Sequence, residues 1–426
     1  MLGYGRIEPE LHRVELLASG QWVSRERVRA ISTITCLISI LCIGWLFATA
    51  HGTLDFLGRP LGTDFSNVWT AGRMALDGRA SHVWSWPEHF AVQRAVHGSA
   101  SVDVFGWHYP PPFLLVAVAL ASLPYVPALI VWQVSTLAPF VAMMWRLMPR
   151  RETLLLVLGA PVTLICLTHG HNGFLTALLL GGGLMLLDRK PFVAGLLIGC
   201  LIYKPQFALI IPVLLLADRN WRAIAGACVS AAVLIGATLF IWGLPVWQAF
   251  IDSIPLTRTV VIEQGATGWH KIMSLFGAMR MWGASLPASY AVQLGATLLA
   301  MSGVALLTWR KADAELRNAL VCAATLLSTP YVLDYDGVVL LPALAWLYSH
   351  GRTNGFLTWE KSLLLIAWFT PLMARQVAEW SLIPMGLAPA LIVAAIALRR
   401  AVASGHHHPA VDVQRLPGDV ASLAAR

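Results

Sequence analysis

Charge is what this sequence lacks most. Only 12% of its 426 residues are Asp, Glu, Lys or Arg, while 57% are hydrophobic; a soluble domain carries roughly 25% charge. So few charges cannot cover the surface of a soluble chain of this size, which excludes a cytosolic enzyme and a disordered chain. Cysteine is sparse and unpatterned. Cys36, Cys42, Cys166, Cys200, Cys228 and Cys322 each sit in an apolar stretch without a C-x-x-C pair, so a secreted disulfide scaffold and a cysteine metal centre are not expected. No cleavable leader is expected, because the first apolar run is as long as a membrane helix and lacks an A-x-A exit. Internal repeats, low-complexity tracts and a second soluble domain are missing too. These exclusions leave an all-α polytopic membrane protein.

What is present is a series of apolar runs at 30–50, 126–147, 152–168, 173–187, 190–204, 206–217, 221–243, 286–309, 318–330, 335–349, 361–378 and 382–398. They predict a bundle of about twelve transmembrane helices over 30–400, several of them short. A further run, 112–123, lies between Pro110-Pro111-Pro112 and Pro124 and reads as a juxtamembrane or re-entrant helix. The charge balance agrees. The net +8 comes from 30 basic against 22 acidic residues, and Lys and Arg gather in cytoplasmic loops of membrane proteins. With 112–123 not spanning, the connections at Arg25–Arg29, Arg146–Arg151, Arg189-Lys190, Arg219–Arg222, Arg310–Arg317, Arg352–Lys361 and from Arg399 all fall on one side, and all are basic. Both termini are therefore expected inside, as a segment over 1–29 and a disordered tail over 401–426.

The opposite face then collects loops 51–125 and 244–285 and short corners at 169–172, 204–206, 331–336 and 375–381. In the first loop Asp64 precedes an amphipathic stretch with Phe65, Val68, Trp69 and Met74 that stops at Asp77-Gly78. Ser85-Trp86-Pro87-Glu88 reads as a capping box opening a second helix that ends at Gly98. Both would lie as a Trp-rich layer at the membrane interface.

Polar groups at or near membrane depth are costly and mark function by default. On this face they are Asp64, His108, His169, His171, Asn172, Lys204, Gln206, Arg258, Glu263, His270, Lys271, Asp334 and Asp336. Asp64 has two compatible readings, an N-cap of the 65–77 helix and a general base. His169-Gly170-His171-Asn172 fits hydrogen-bonding groups lining a cavity better than a metal site, since i, i+2 histidines do not share a helix face. Lys204-Pro205 interrupts a hydrophobic hairpin; the lysine either snorkels to headgroups or joins Arg258, His270 and Lys271 around a phosphate. Asp334 caps the following helix, or one of Asp334 and Asp336 binds sugar hydroxyls or holds a basic neighbour. His406-His407-His408 lies in the inner tail, apart from this group, and is given no role.

Six motifs in order carry a family resemblance. They are Asp64-Phe65 with Ala71-Gly72-Arg73; Tyr109-Pro110-Pro111-Pro112-Phe113; Gly170-His171-Asn172-Gly173; Tyr203-Lys204-Pro205-Gln206; Glu263-Gln264-Gly265 with Gly268-Trp269-His270-Lys271; and Thr329-Pro330-Tyr331 with Leu333-Asp334-Tyr335-Asp336. Over roughly 30 to 400 the chain resembles the family 87 glycosyltransferases, membrane enzymes of the GT-C superfamily. The resemblance implies a hexosyl- or pentosyltransferase that takes its sugar from a polyprenyl phosphate on the outer face of a bacterial inner membrane. Mannosyltransferases acting on phosphatidylinositol mannosides are the best-understood relatives. It maps their acidic catalytic residue to Asp64, and relatives often carry Gln where this chain has His171. The expected donor-phosphate groups are Lys204, Arg258, His270 and Lys271. His108, Tyr109, His171, Asn172, Gln206, Glu263, Asp334 and Asp336 are expected around the sugar or the lipid or glycan acceptor. No metal or other cofactor is expected, and no nucleic acid. The rival readings are a secondary transporter, for which the chain lacks the paired repeats, and a lipid flippase.

Overall fold

The computed structural model describes residues 14–405. Among these the chain is all-helical, with isolated β-bridges and no strand, as expected. Five helices are long and apolar enough to cross a bilayer: Arg25–Ala48, Tyr125–Leu147, Trp221–Trp242, Leu286–Trp309 and Met385–Ala403. Arg151–Leu158 and Pro161–His169 pass the same test together, bent by 52° at the break before Pro161, where proline supplies no amide to continue the helix. Shorter apolar helices are Pro111–Ala121, Gly173–Leu186, Pro191–Tyr203 and Pro205–Ala217. The tail expected over 401–426 lies mostly outside the described residues, which end within the Ala388–Gly405 helix; the inner segment is described only from residue 14.

The spanning helices are inside-out relative to a soluble protein. Leu41, Leu299 and Phe240, the last 92% exposed, point away from the bundle, while Ser32, Ser39, Gln293 and Thr297 of the same or neighbouring spans are buried. Hydrocarbon favours this arrangement, because a polar side chain must find its partner inside the protein. Gln293 donates to the Leu327 carbonyl at 2.9 Å and Thr297 to the Ser328 carbonyl at 2.8 Å, fastening Leu286–Trp309 to Ala314–Leu327.

Polar contacts sort into two opposite ends. At one end Arg25 and Arg29 both reach Glu152, Arg317 holds Asp188, Arg400 holds Glu360 and His350, and His350 meets Asp313. Trp359 also donates its amide to Ala18. Most of the basic connections thus converge there. From it Gly173–Leu186 and Ala314–Leu327, each about 21 Å long at 1.5 Å per residue, lead to Asn172 and to the segment 329–336 at the other end. That second end holds Asp64.

The first long loop is helical, as Thr63–Leu76, Ala80–Trp84, Trp86–His97 and Pro111–Ala121. Gly72 lets Thr63–Leu76 lie directly on Pro111–Ala121: a Cβ there would come within 2.0 Å of the Ala117 carbonyl oxygen. Gly98 closes Trp86–His97 with φ +63°, the left-handed cap anticipated. The capping box does not form. Ser85 makes no side-chain cap bond, its amide is given to the His82 carbonyl at 2.9 Å, and Glu88 pairs with the His82 ring at 3.0 Å.

Candidate active site

Asp64 is not an N-cap. The chain enters Thr63–Leu76 through Gly62, whose φ of +66° suits only glycine well, and Asp64 falls inside the first turn. Its carboxylate is therefore free of backbone duty. Asp64 Oδ2 is closed off from solvent and has no hydrogen-bond partner among the described residues. Burial pushes its pKa above the ordinary 3.8; nearby His169 opposes this, Asp334 adds to it, a hydrogen bond from Tyr335 to the carboxyl group opposes it and Asp336 adds to it. Two further carboxylates therefore share this neighbourhood, and both are neutralised by cations.

Lys204 stands between the turns Cys200–Tyr203 and Pro205–Ala208. It does not snorkel: it is 3% exposed. Its Nζ donates to Asp336 Oδ1 at 2.5 Å and to Asn172 Oδ1 at 3.3 Å. Asp336 also performs the backbone capping that the sequence suggested for Asp334, accepting from the Leu333 amide at 3.0 Å. Asp334 accepts from the Tyr335 amide at 3.0 Å through Oδ1 and binds Arg375 through Oδ2; Arg375 also lies 3.5 Å from His169 Nε2. Both carboxylates of Leu333-Asp334-Tyr335-Asp336 hold a basic neighbour, Lys204 on Asp336 and Arg375 on Asp334.

An aromatic wall supports these charges. Tyr109 precedes Pro110-Pro111-Pro112 and is kept out of the helix they start. Its hydroxyl lies 3.4 Å from His171 Nε2, and its ring packs 4.6 Å from Phe113, which stacks on Tyr203 at 4.8 Å. The His171 ring stacks on Tyr335 at 3.5 Å. Burial, Lys204 and His169 together depress the His171 pKa well below 6.5, so the ring is neutral and hydrogen-bonding. His171 Nδ1 and Asn172 Nδ2 are buried without partners, as Asp64 Oδ2 is. Three unpaired polar atoms on two adjacent segments are costly unless a ligand meets them.

The second loop is pinned to this site. Ile272 bridges to Leu333, the Met273 amide donates to the Val332 carbonyl at 2.8 Å, and Ser274 donates to the Pro330 carbonyl at 2.8 Å. These bonds carry His270 and Lys271, on the turn Trp269–Lys271, to the neighbourhood of Arg375 and Asp334. His108 ties the two loops together through Thr257 Oγ1 at 3.1 Å and packs against Trp86. Glu263 stands apart, ion-paired with Arg258 at 3.2 Å and accepting from Tyr290 at 3.1 Å. Arg258 is exposed, and Gln206 is half-buried beyond Lys204.

Asp64, Tyr109, His169, His171, Asn172, Lys204, Asp334 and Asp336 thus form one cluster, with His270 and Lys271 at its edge. Sequence reasoning missed Arg375 and Tyr335. Arg375 carried a usable signal: it is a cation in the 375–381 corner, on the same side as the other costly polar residues. Among the described residues no three His, Cys, Asp or Glu side chains gather as a metal-ligand set. A 40 Å³ cavity beside Asp334 has room for water but not a sugar.

Residues 107–330 match the model of glycosyltransferase family 87, a stretch that includes His108, Tyr109, His171, Asn172, Lys204 and the whole second loop but neither Asp64 nor Asp334. No curated protein and no solved structure matches the chain. The family match covers more than half of a chain built of apolar membrane-length helices, with a cluster of buried polar groups at one end. The chain belongs to glycosyltransferase family 87 and is a membrane glycosyltransferase.

Proposed function

We propose that this enzyme transfers a hexose or pentose from a polyprenyl-phosphate-linked sugar to a hydroxyl of a lipid or glycan acceptor, inverting the anomeric centre. The observation that carries the reading is Asp64 Oδ2, a buried carboxylate oxygen without a partner, held at a raised pKa suited to taking a proton. The acceptor oxygen attacks the anomeric carbon while its proton passes to Asp64. The bond from that carbon to the phosphate oxygen breaks, and the electron pair leaves with polyprenyl phosphate. Such a leaving group ionises readily, so the chemistry does not require a metal ion.

Arg375, His270 and Lys271 are the cations we assign to the donor phosphate, with Arg258 at the rim. Positive groups aimed at the developing phosphate charge act as an oxyanion hole does. Lys204 serves this reading indirectly, by fixing Asp336 and Asn172. His108, Tyr109, His171, Asn172, Asp334 and Asp336 would contact the sugar or the acceptor, while Glu263 and Gln206, outside the cluster, would meet only the outer part of the acceptor. The short helices complete a bundle of about twelve crossings. The basic end faces the cytoplasm, as the clustering of Arg and Lys favours, and the Asp64 end faces the periplasm of a bacterial inner membrane.

The test is a transfer assay with purified protein in lipid, offering radiolabelled polyprenyl-phosphate mannose, glucose, galactose and arabinose with membrane extract as acceptor. Wild type should make a labelled glycolipid from one donor, and Asp64→Asn should not. Normal transfer by Asp64→Asn would remove this residue from the mechanism. Movement of labelled solute into proteoliposomes without chemical change would favour a transporter or flippase instead.

A further inference from the structure

A second cavity has no residue of the Asp64 cluster in its wall. It has a volume of 880 Å³ and opens at the basic end, between the first span and the Arg151–Leu158, Leu340–Asn354 and Glu360–Phe369 helices. Small-molecule sites occupy roughly 300–1,000 Å³. Its chemistry is divided. Arg25, Arg150, Arg352 and Lys361 line it, against one carboxylate, Glu152. Glu152 is already claimed by Arg25 and by Arg29, both at 2.6 Å. Arg150 and Arg352 are exposed at the rim, and Lys361 lies over the Phe356 ring at 5.0 Å. Apart from Ser24, Thr153 and Tyr348 the remainder of the wall is apolar, with Met144, Leu156, Leu344, Leu365 and Trp368.

We infer that this cavity binds an anionic phospholipid, its phosphate on Arg150, Arg352 and Lys361 and an acyl chain against the apolar wall. Charge complementarity selects the occupant. A zwitterionic lipid gains little from a rim with three cations and no free carboxylate, and a small soluble anion leaves the apolar wall uncovered. A basic cluster beside a membrane helix is the arrangement that holds acidic headgroups. The inference does not rest on the glycosyl-transfer reading, since no lining residue belongs to the Asp64 cluster.

The experiment uses the full chain purified in mild detergent, with retained lipid identified by native mass spectrometry and thermal stability followed on adding phosphatidylglycerol, phosphatidylcholine or inorganic phosphate. Phosphatidylglycerol should be retained and stabilising, less so at high salt, and the other two should have little effect. Arg150→Gln/Arg352→Gln/Lys361→Gln should bind phosphatidylglycerol roughly a hundredfold more weakly, from about 1 kcal/mol per cation near a membrane surface. Leu365→Trp, which fills the cavity and leaves the cations, should also lose it. Asp64→Asn should retain it, so failure here and failure of the catalytic reading are separable. Equal stabilisation by inorganic phosphate, equal retention of phosphatidylcholine, or unchanged binding in both variants would each overturn the proposal.

Discussion

Both ends of this molecule bury an ion pair, yet the two pairs differ in what surrounds them. At the basic end, the Arg400 guanidinium reaches both oxygens of Glu360, the Gly355 carbonyl and His350. The Leu357 amide also donates to Glu360 at 2.8 Å. No atom of that network is among the buried unpartnered ones. At the other end, Lys204 and Asp336 are as deeply buried, but Asp64, His171 and Asn172 beside them each keep an unpartnered atom. Burying charge is thus a poor marker of a site by itself, because a saturated pair is a clasp. Buried charge beside unsatisfied polar atoms marks a place where a ligand completes the hydrogen bonding.

The sharpest break of this comparison is Asp64→Asn. It should lower turnover by about 10²–10⁴ while the melting temperature stays level or rises. A carboxylate with a raised pKa in the folded state costs stability once pH passes that value, and Asn removes the cost. A fall in melting temperature that parallels the lost turnover would make Asp64 a structural residue. Next, Lys204→Met and Arg400→Met should each destabilise by roughly 3–5 kcal/mol, because each strands a buried carboxylate. Only Lys204→Met should also lower turnover per folded molecule; undiminished turnover would make Lys204 a clasp like Arg400.

The pH–rate profile gives a smaller effect with a definite sign. Asp64 must be ionised to act, so activity falls as pH drops through its raised pKa. The acid limb should therefore lie above the ordinary aspartate value of 3.8, and should vanish from any residual activity of Asp64→Asn. A limb at or below 3.8 would contradict the burial of this carboxylate. The smallest effects come from two serines at the Asp64 end. Ser274 caps Gly277 at 3.0 Å and holds the second loop to Pro330, so Ser274→Ala should cost about 1 kcal/mol in a denaturation assay. Ser85→Ala should change stability by no more than about 0.5 kcal/mol, since no cap bond is there to lose.

Much of this was legible in the sequence because the bilayer constrains composition. A chain with 12% charge and long apolar runs can only be a membrane bundle, and positive-inside bookkeeping brought together basic segments that the fold joins through Arg29–Glu152, Arg317–Asp188 and Arg400–Glu360. The turn signals at Asp77-Gly78 and Gly98 were readable, because left-handed backbone favours glycine. The site was legible as a list of costly polar residues. Its wiring was not. Asp64 was open to an N-cap reading until Gly62 occupied that position, Glu88 had a nearer partner in His82 than in a helix amide, and Arg375 pairs with Asp334 across 41 residues of sequence.

The sequence by itself determined that this protein lives in a membrane, that it is helical, and which residues are too polar to lie there idly; composition and local spacing suffice for those. Tertiary structure alone decided which carboxylate is spent and which is free. Lys204 and Arg375 arrive from separate segments of the chain to neutralise Asp336 and Asp334, and Asp64 is left without a cation. That choice depends on which side chains meet in space, and hydrogen bonds and ion pairs form over a few ångströms, whatever the separation along the chain.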